Sequence, residues 1–396
     1  MRTDLGWQLD PSVVFFNHGS YGACPSDVLA VQRGFRDRLE HEPIAFLTRG
    51  LAARLDDARA SVGPFLHADP AGIAFVPNAS TAINTVLQSL RFQPGDELLT
   101  NDHEYNATIN AMQAVAARDG ARVVVVPVPY PIDDPATVVE AHLAAVTPRT
   151  RLLVVSHVTS PTALVFPIEA LIDAFDARGI DTFVDGAHTP GMVPLDLDAM
   201  APAYWTGNAH KWLCAPKGSG ILWVRADRRE RIRPLVISHG ANEPLADRSR
   251  FRLEFDWMGT ADPTPYLTIP AAIDWMAAQV SGGWPEIMAS NRALALLGRD
   301  RLVTALGIEA PSPDSMIGSM ATVPIPVDAT DAAAVALHER LVGERLEVPV
   351  LGWPVRAARR DPTDPPRLVL LRLSAQRYNE PADFDRLADA VVAAIR

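Results

Sequence analysis

Cysteine is nearly missing from this sequence, with two among 396 residues, Cys24 and Cys214. Two cysteines make no disulfide framework and no four-ligand zinc site, and they fit a reducing cytoplasm. No apolar run is long enough to span a bilayer. The opening residues Met1 to Gly6 lack the apolar core of a secretory leader. There is no excess of positive charge either: the formal net charge is -11, which argues against a nucleic-acid partner. Repeats and low-complexity tracts are absent. What remains is a chain with 48% apolar and 21% charged residues, the composition of a globular protein with a large core and two or three domains.

Apolar strand candidates alternate with helical stretches through the first half. Helices are expected near 26–40 and 51–66. Ile73 to Val76 reads as a short buried strand that turns through Asn78-Ala79-Ser80 into a helix beginning near Thr81. Asn78, Ser80 and Thr81 are N-cap residue types. A strand, a small-residue turn and a helix N-terminus form a ready anion site, because free N–H groups and the helix dipole both favour negative charge. Further strands are expected at 97–100, 122–127, 152–156, 181–184 and 221–224, with helices to about Arg118 and over 168–178. This alternation predicts a mainly parallel sheet covered on both faces. Ligands of such sheets bind beyond the carboxyl ends of the strands. Tyr105, Thr159, Ser160, Asp185 and His188 all fall at such ends. Residues 238–256 read as a polar loop. Strands near 320–325 and 368–373, a helix near 331–341 and an amphipathic closing helix suggest a smaller α/β domain.

The stretch Thr206-Gly207-Asn208-Ala209-His210-Lys211-Trp212 carries the chemistry. A lysine in a dry, crowded place has its ammonium form disfavoured and becomes a nucleophilic amine, able to form Schiff bases with carbonyl compounds or pyridoxal phosphate (PLP). Taken alone, Lys211 is better read as a lysine snorkelling at a strand end. A PLP site also needs a carboxylate for the pyridine nitrogen, a phosphate cup and a ring stacker. Asp185, the turn 78–81 and Tyr105 or a histidine supply these types. Arg372, just after an apolar strand, could clamp a substrate carboxylate through its planar fork. His103, His157, His188 and His210 lack metal-site spacing on one helix, so no metal is expected.

In this order the motifs N-H-G-S-Y-G, N-A-S-T-A-I-N-T-V, H-E-Y-N-A, S-H-V-T-S-P-T, V-D-G-A-H-T-P-G, T-G-N-A-H-K-W-L, W-M-G-T-A-D and R-L-S-A-Q-R-Y-N resemble the class V aminotransferase-like PLP enzymes. They are most similar to the isopenicillin N epimerase-like branch. The resemblance implies PLP fold type I: a large domain with a mostly parallel seven-stranded sheet, a small C-terminal α/β domain and a homodimer with shared active sites. It implies an N-terminal segment 1–20 packed on the small domain and the active site, a large domain over 21–262 and a small one over 263–396. Lys211 would be the Schiff-base lysine and Asp185 the pyridine-nitrogen partner. Ala79 and Ser80 would bind phosphate through their turn, with Asn208 and His210 adding side-chain contacts. Thr260 would reach the neighbouring protomer's phosphate. Tyr105 takes the place of a stacking histidine, His188 would lie beside the ring, and Arg372 would hold the substrate's α-carboxylate. Asn17 and His18 are expected at the substrate. Two departures count: Thr159-Ser160 stand where desulfurase relatives have an asparagine near the ring hydroxyl, which leaves Ser160 as the expected contact. Residues 351–371 contain no cysteine, which disfavours a persulfide-forming desulfurase.

The expected substrate is a small-molecule amino acid, with chemistry at its Cα. Epimerisation needs a second acid opposite Lys211, for which Tyr105 and His18 are the candidates. A C–S lyase acting on S-substituted cysteine needs none. Transamination, and a PLP-binding scaffold without turnover, are the other readings.

Overall fold

The computed structural model describes residues 6–245 and 247–396. The first five residues of the expected 1–20 segment, and Ala246 of the expected polar loop, lie outside the described residues. In chain order the strands are β1 (Val14–Phe15), β2 (Ile73–Val76), β3 (Glu97–Asn101), β4 (Arg122–Val126), β5 (Thr150–Ser156), β6 (Asp181–Gly186), β7 (Tyr204–Asn208), β8 (Gly220–Val224), β9 (Met320–Ile325), β10 (Leu346–Glu347), β11 (Val350–Trp353) and β12 (Leu368–Ser374). Seven of them form one sheet in the order β2-β8-β7-β6-β5-β3-β4. Within it β8 runs antiparallel to both β2 and β7, and the other pairings are parallel. The expected α/β fold with a mostly parallel seven-stranded sheet is therefore present.

The central strands are buried along nearly their whole length because helices cover both faces. Buried residues on either side gather into separate apolar clusters, one around Leu99, Leu153, Val155 and Val184, the other around Leu98, Leu152, Val154 and Phe183. Successive residues of one strand thus feed opposite faces, the period-2 rule of a β-strand. The parallel strands end on the same edge of the sheet. Loops leaving β2, β3, β5, β6 and β7 consequently converge there.

A second, three-stranded antiparallel sheet has the order β11-β12-β9. Its register pairs Arg372 with Thr322. The N-terminal β1 pairs in parallel with β10, Val14 against Leu346, and Trp7 packs edge-on against Trp275 and Tyr378. The N-terminal segment therefore joins residues far away in sequence. Several elements differ from the expectations. The helix after β2 begins at Ala79 rather than near Thr81, because Asn78 is its N-cap and accepts from the Thr81 N–H at 2.9 Å. The expected polar loop contains a helix, Arg250–Asp256, capped by Ser249. A 24-residue helix, Gly283–Leu306, went unread. Among the described residues no helix is long and apolar enough to cross a membrane, and no cluster of His, Cys, Asp and Glu could hold a metal ion.

Candidate active site

The loops at the carboxyl edge enclose a cavity of about 300 Å³. Lys211, Asp185, His188, Asn208, His210, Ala79, Ser80, Tyr105 and Ser160 all line it. Nine expected site residues, read from five separate loops, therefore meet around one space.

Lys211 lies in the turn after β7. Its backbone carbonyl accepts from the Cys214 N–H at 3.0 Å and from His18 Nε2 at 3.1 Å. Gly22 fits against this turn only because it is glycine: a Cβ there would come within 1.9 Å of the His210 carbonyl oxygen, and its φ is +67°. The Lys211 Nζ lies 3.2 Å from His188 Nε2. Burial, then the Arg372 charge, push its ammonium down to about 7, with Asp185 opposing. The same burial keeps His188 neutral, its affinity for a proton well below the ordinary histidine range. His188 Nδ1 is buried and has no partner among the described residues.

Asp185 sits near the end of β6. One carboxylate oxygen accepts from the Ala187 N–H at 3.0 Å and the other from the Thr108 hydroxyl at 3.2 Å. Burial raises its proton affinity, opposed by these donors and by Lys211. The phosphate-type turn is built as the sequence suggests. Asn208 Oδ1 takes the Ala79 N–H at 2.9 Å, and Asn78 takes the Thr81 N–H. The Ser80 N–H and hydroxyl remain as donors of the first turn. A Cβ on Gly220 would sit 2.7 Å from the Asn78 Cα, so glycine in β8 lets the turn pack against the sheet. His210 places Nδ1 at 3.1 Å from the Ser219 carbonyl. That contact fixes the proton on Nδ1 and leaves Nε2 for the cavity, and burial pushes the ring down to about 4.

Arg372 lies behind this wall, 5% exposed. It donates to the Ser160 carbonyl at 2.6 Å, to Ser160 Oγ at 3.1 Å and to Ser20 Oγ at 3.0 Å. Nε is buried without a partner, and among the described residues no carboxylate pairs with it. A buried guanidinium lacking an acid is costly, and a substrate carboxylate would relieve that cost.

Three of the expected site residues, His18, Asn17 and Thr260, lie off the cavity wall. His18 does not line the cavity. It is fully buried behind Lys211, with Nδ1 2.9 Å from the Tyr378 hydroxyl and Nε2 on the Lys211 carbonyl. Burial pushes its ring down to about 3, so it is a neutral support for the lysine turn rather than an acid facing the substrate. Asn17 is also off the wall. It binds Glu347 at 2.9 Å and accepts from the Ser20 hydroxyl, so it reaches Arg372 only through Ser20. Thr159, next to Ser160, is buried and bonded to Thr162 at 2.7 Å, holding its own loop. Thr260 is exposed and lines a different cleft with Trp257, Met258 and Gly259. Its expected contact belongs to a second copy of the chain.

Ser20 and Glu104 were not read from the sequence. Ser20 joins Asn17 to Arg372 across 352 positions, and no local spacing signals that. Glu104 is completely buried beside Tyr105, and its neighbour in the motif, not its own environment, drew the eye.

The residues present fit PLP. There is a helix N-terminus whose Ser80 N–H and hydroxyl remain for a phosphate, a carboxylate held by two donors, an unpartnered buried imidazole nitrogen and a lysine amine with weakened proton affinity, all on one cavity.

The Aminotransferase class-V family matches residues 39–387. Isopenicillin N epimerase of Streptomyces clavuligerus is 36% identical, over 97% of this chain and 95% of its own length. A probable chloroplastic L-cysteine desulfhydrase of Arabidopsis thaliana is 28% identical, over 98% of this chain and 84% of its own. Among solved structures, a C-DES variant with glycine covalently linked to its PLP cofactor superposes with a TM-score of 0.76 at 21% identity, covering 96% of this chain and 97% of that one.

Proposed function

Because this chain belongs to the class V aminotransferase family and is a PLP-dependent enzyme, we propose that it acts at the Cα of an amino acid, as an isopenicillin N epimerase-like epimerase. One observation carries the chemistry: a buried lysine whose proton affinity falls to about 7 shares a cavity with a hydrogen-bonded aspartate. The similarity to an epimerase along 97% of the chain supports the choice of reaction.

PLP, when bound, supplies an electron sink for the pair left at Cα. Lys211 would hold it through Nζ, and the turn Asn78–Thr81 with Asn208 and His210 would hold its phosphate. Asp185 would keep a proton on the pyridine nitrogen by its charge. Arg372 takes the substrate carboxylate, with Ser20 and Ser160 already orienting its fork. Lys211 Nζ, its proton affinity lowered by burial, would accept the α-proton as general base. His188 accepts or donates at 3.2 Å from that nitrogen. The Tyr105 hydroxyl is the remaining candidate for delivering a proton to the other face. Tyr105 is 45% exposed on the cavity wall. A second copy of the chain, bringing Thr260 to the phosphate, completes the site in a homodimer.

A C–S lyase acting on an S-substituted cysteine is the second reading. The removal of His18 from the wall favours it, since elimination needs no second acid. Its similarity to a desulfhydrase points the same way. An amino-acid panel turned over in heavy water separates the two. Inverted, α-deuterated amino acid without keto acid means epimerase. Thiol with pyruvate means lyase. Retention of both configuration and α-hydrogen with every substrate would sink both readings.

A further inference from the structure

The well that holds Asp185 contains a second carboxyl group that the chemistry above does not use. Glu104, between β3 and the helix Asn106–Asp119, has no exposed surface. Oε1 accepts from the Ser156 hydroxyl at 2.6 Å and from the Tyr105 N–H at 2.7 Å, and the Ser156 backbone also acts on the carboxyl, favouring its charged form. Oε2 is buried without a partner among the described residues. No cation pairs with Glu104 among those residues. Asp185 is arranged differently, with a donor on each oxygen and Lys211 near enough to act on it. Two carboxylates in one dry well cannot both stay ionised. The better solvated one keeps the charge, and the one with a bare oxygen keeps the proton.

We propose that Glu104 is a positioning residue held as the neutral acid, so that Asp185 carries the only negative charge in the well beneath the cofactor ring. It acts through two neighbours. Its Oε1 fixes the Tyr105 backbone at the start of the helix that presents Tyr105 to the cavity, and Ser156 at the end of the strand beside Asp185. The acid proton then belongs on Oε2, the oxygen no donor reaches. Burial, then the Asp185 charge, push the Glu104 carboxyl up to about 8, in accord with this arrangement. Of the other titratable groups on adjoining positions, His157 is buried with Nδ1 unpartnered, and burial pushes its ring down to about 4, so it is neutral. Asp102 pairs with Arg367, and His103 is bonded to Thr162 and the Val128 carbonyl. Thr108, from the covering helix, serves Asp185.

The inference rests on Asp185 being the group that faces the pyridine nitrogen. Its test reads Glu104 directly, so the two can fail separately. Infrared spectra of the holoenzyme with ¹³C-labelled glutamate carboxyls are taken at rising pH. The expected result is a protonated-carboxyl band at neutral pH that fades as pH passes about 8 and is missing in Glu104→Gln. Lack of the band at neutral pH overturns the proposal, and so does its persistence in the variant. Glu104→Gln, a neutral isostere, is also expected to keep the cofactor's visible band and its pH midpoint. A shift of that midpoint matching the one in Asp185→Asn would mean that Glu104 shares the charge, and would equally overturn it. If Glu104→Gln does not fold, the titration of the wild-type band decides alone. An acid band that titrates normally in Asp185→Asn as well would count against the pairing of the two carboxyls, since removing the Asp185 charge should lower the pH at which Glu104 gives up its proton.

Discussion

Replacing Arg372 by methionine should move binding and stability in opposite directions. The guanidinium is 5% exposed, lacks an acid partner among the described residues, and its Nε has no partner. Burial pushes its proton affinity down to about 10, well below the ordinary guanidinium. That shift is worth about 3 kcal/mol against the charged form in the folded chain, at about 1.4 kcal/mol per unit. Methionine keeps the apolar stem and removes the charge. It also removes hydrogen bonds to Ser20 and Ser160, each worth about 1 kcal/mol net. The balance for the cofactor-free protein lies near zero or slightly in favour of the variant. Loss of one partner of a buried ion pair would instead cost about 3–5 kcal/mol. Substrate binding should suffer in the usual way for a desolvated charge pair, by about 2–5 kcal/mol, which is about 30-fold to several thousand-fold in kcat/KM. Most of it should appear in KM. Thermal unfolding of the cofactor-free variant and steady-state kinetics of the loaded one measure the two sides. A variant that loses about 3 kcal/mol of stability while keeping its KM would refute the reasoning and make Arg372 a structural residue.

Loading of PLP into the cofactor-free protein should accelerate as pH rises through about 7, where Lys211 gives up its proton. The visible absorbance after mixing reports it, and a rate that climbs only toward the ordinary lysine value of 10.5 would contradict the burial argument. Gly220→Ala should displace the phosphate turn, since the new Cβ would lie 2.7 Å from the Asn78 Cα. Overpacking of this kind costs about 1–3 kcal/mol, and the cofactor should be lost faster on dilution; unchanged retention and melting would sink the claim. His18→Ala should slow cofactor loading, because it removes the support of the Lys211 carbonyl. It should leave the ratio of inverted to retained product unchanged. An altered ratio would restore His18 as an acid.

The sheet was legible because its strands are short apolar runs separated by helical periods, and each chemical motif is tied to a strand end. Asp185 lies one residue before the end of β6, a strand the alternation predicts, whereas Lys211 follows β7, which it does not. A further signal lay in composition: Lys211 and Lys217 are the only lysines, against 34 arginines. The long helix Gly283–Leu306 was illegible for a physical reason. Its buried face includes Asn291, Gly298 and Arg299 as well as Trp284, Ile287 and Leu302, so the apolar stripe is broken. Gly298 sits there because a Cβ would meet the Phe384 ring at 2.4 Å. Similarly, the helix Arg250–Asp256 buries Glu254 alongside Phe251 and Phe255 and reads as a charged loop. His18 was misplaced because a polar turn does not reveal which of its side chains faces the ligand. Only the packing of Trp7, Trp212 and Tyr378 around its ring decides that.

The cavity divides by rigidity, and that division bears on how one fold serves several reactions. Its floor consists of residues fixed by strands and by their own hydrogen bonds: Asp185, Asn208, His188 and His210 are each at most 9% exposed. On the proposed reading these groups serve proton removal at Cα. The rim is different. Tyr105 is 45% exposed and Tyr21 is 73% exposed, and both line the cavity. A side chain that packs against little can change without loss of the fold. The fate of the electrons at Cα depends on what stands over the substrate's far face and its β-substituent, which is the rim. On the proposed reading the reaction is therefore chosen above the floor, and the residue at 105 is where this chain commits itself.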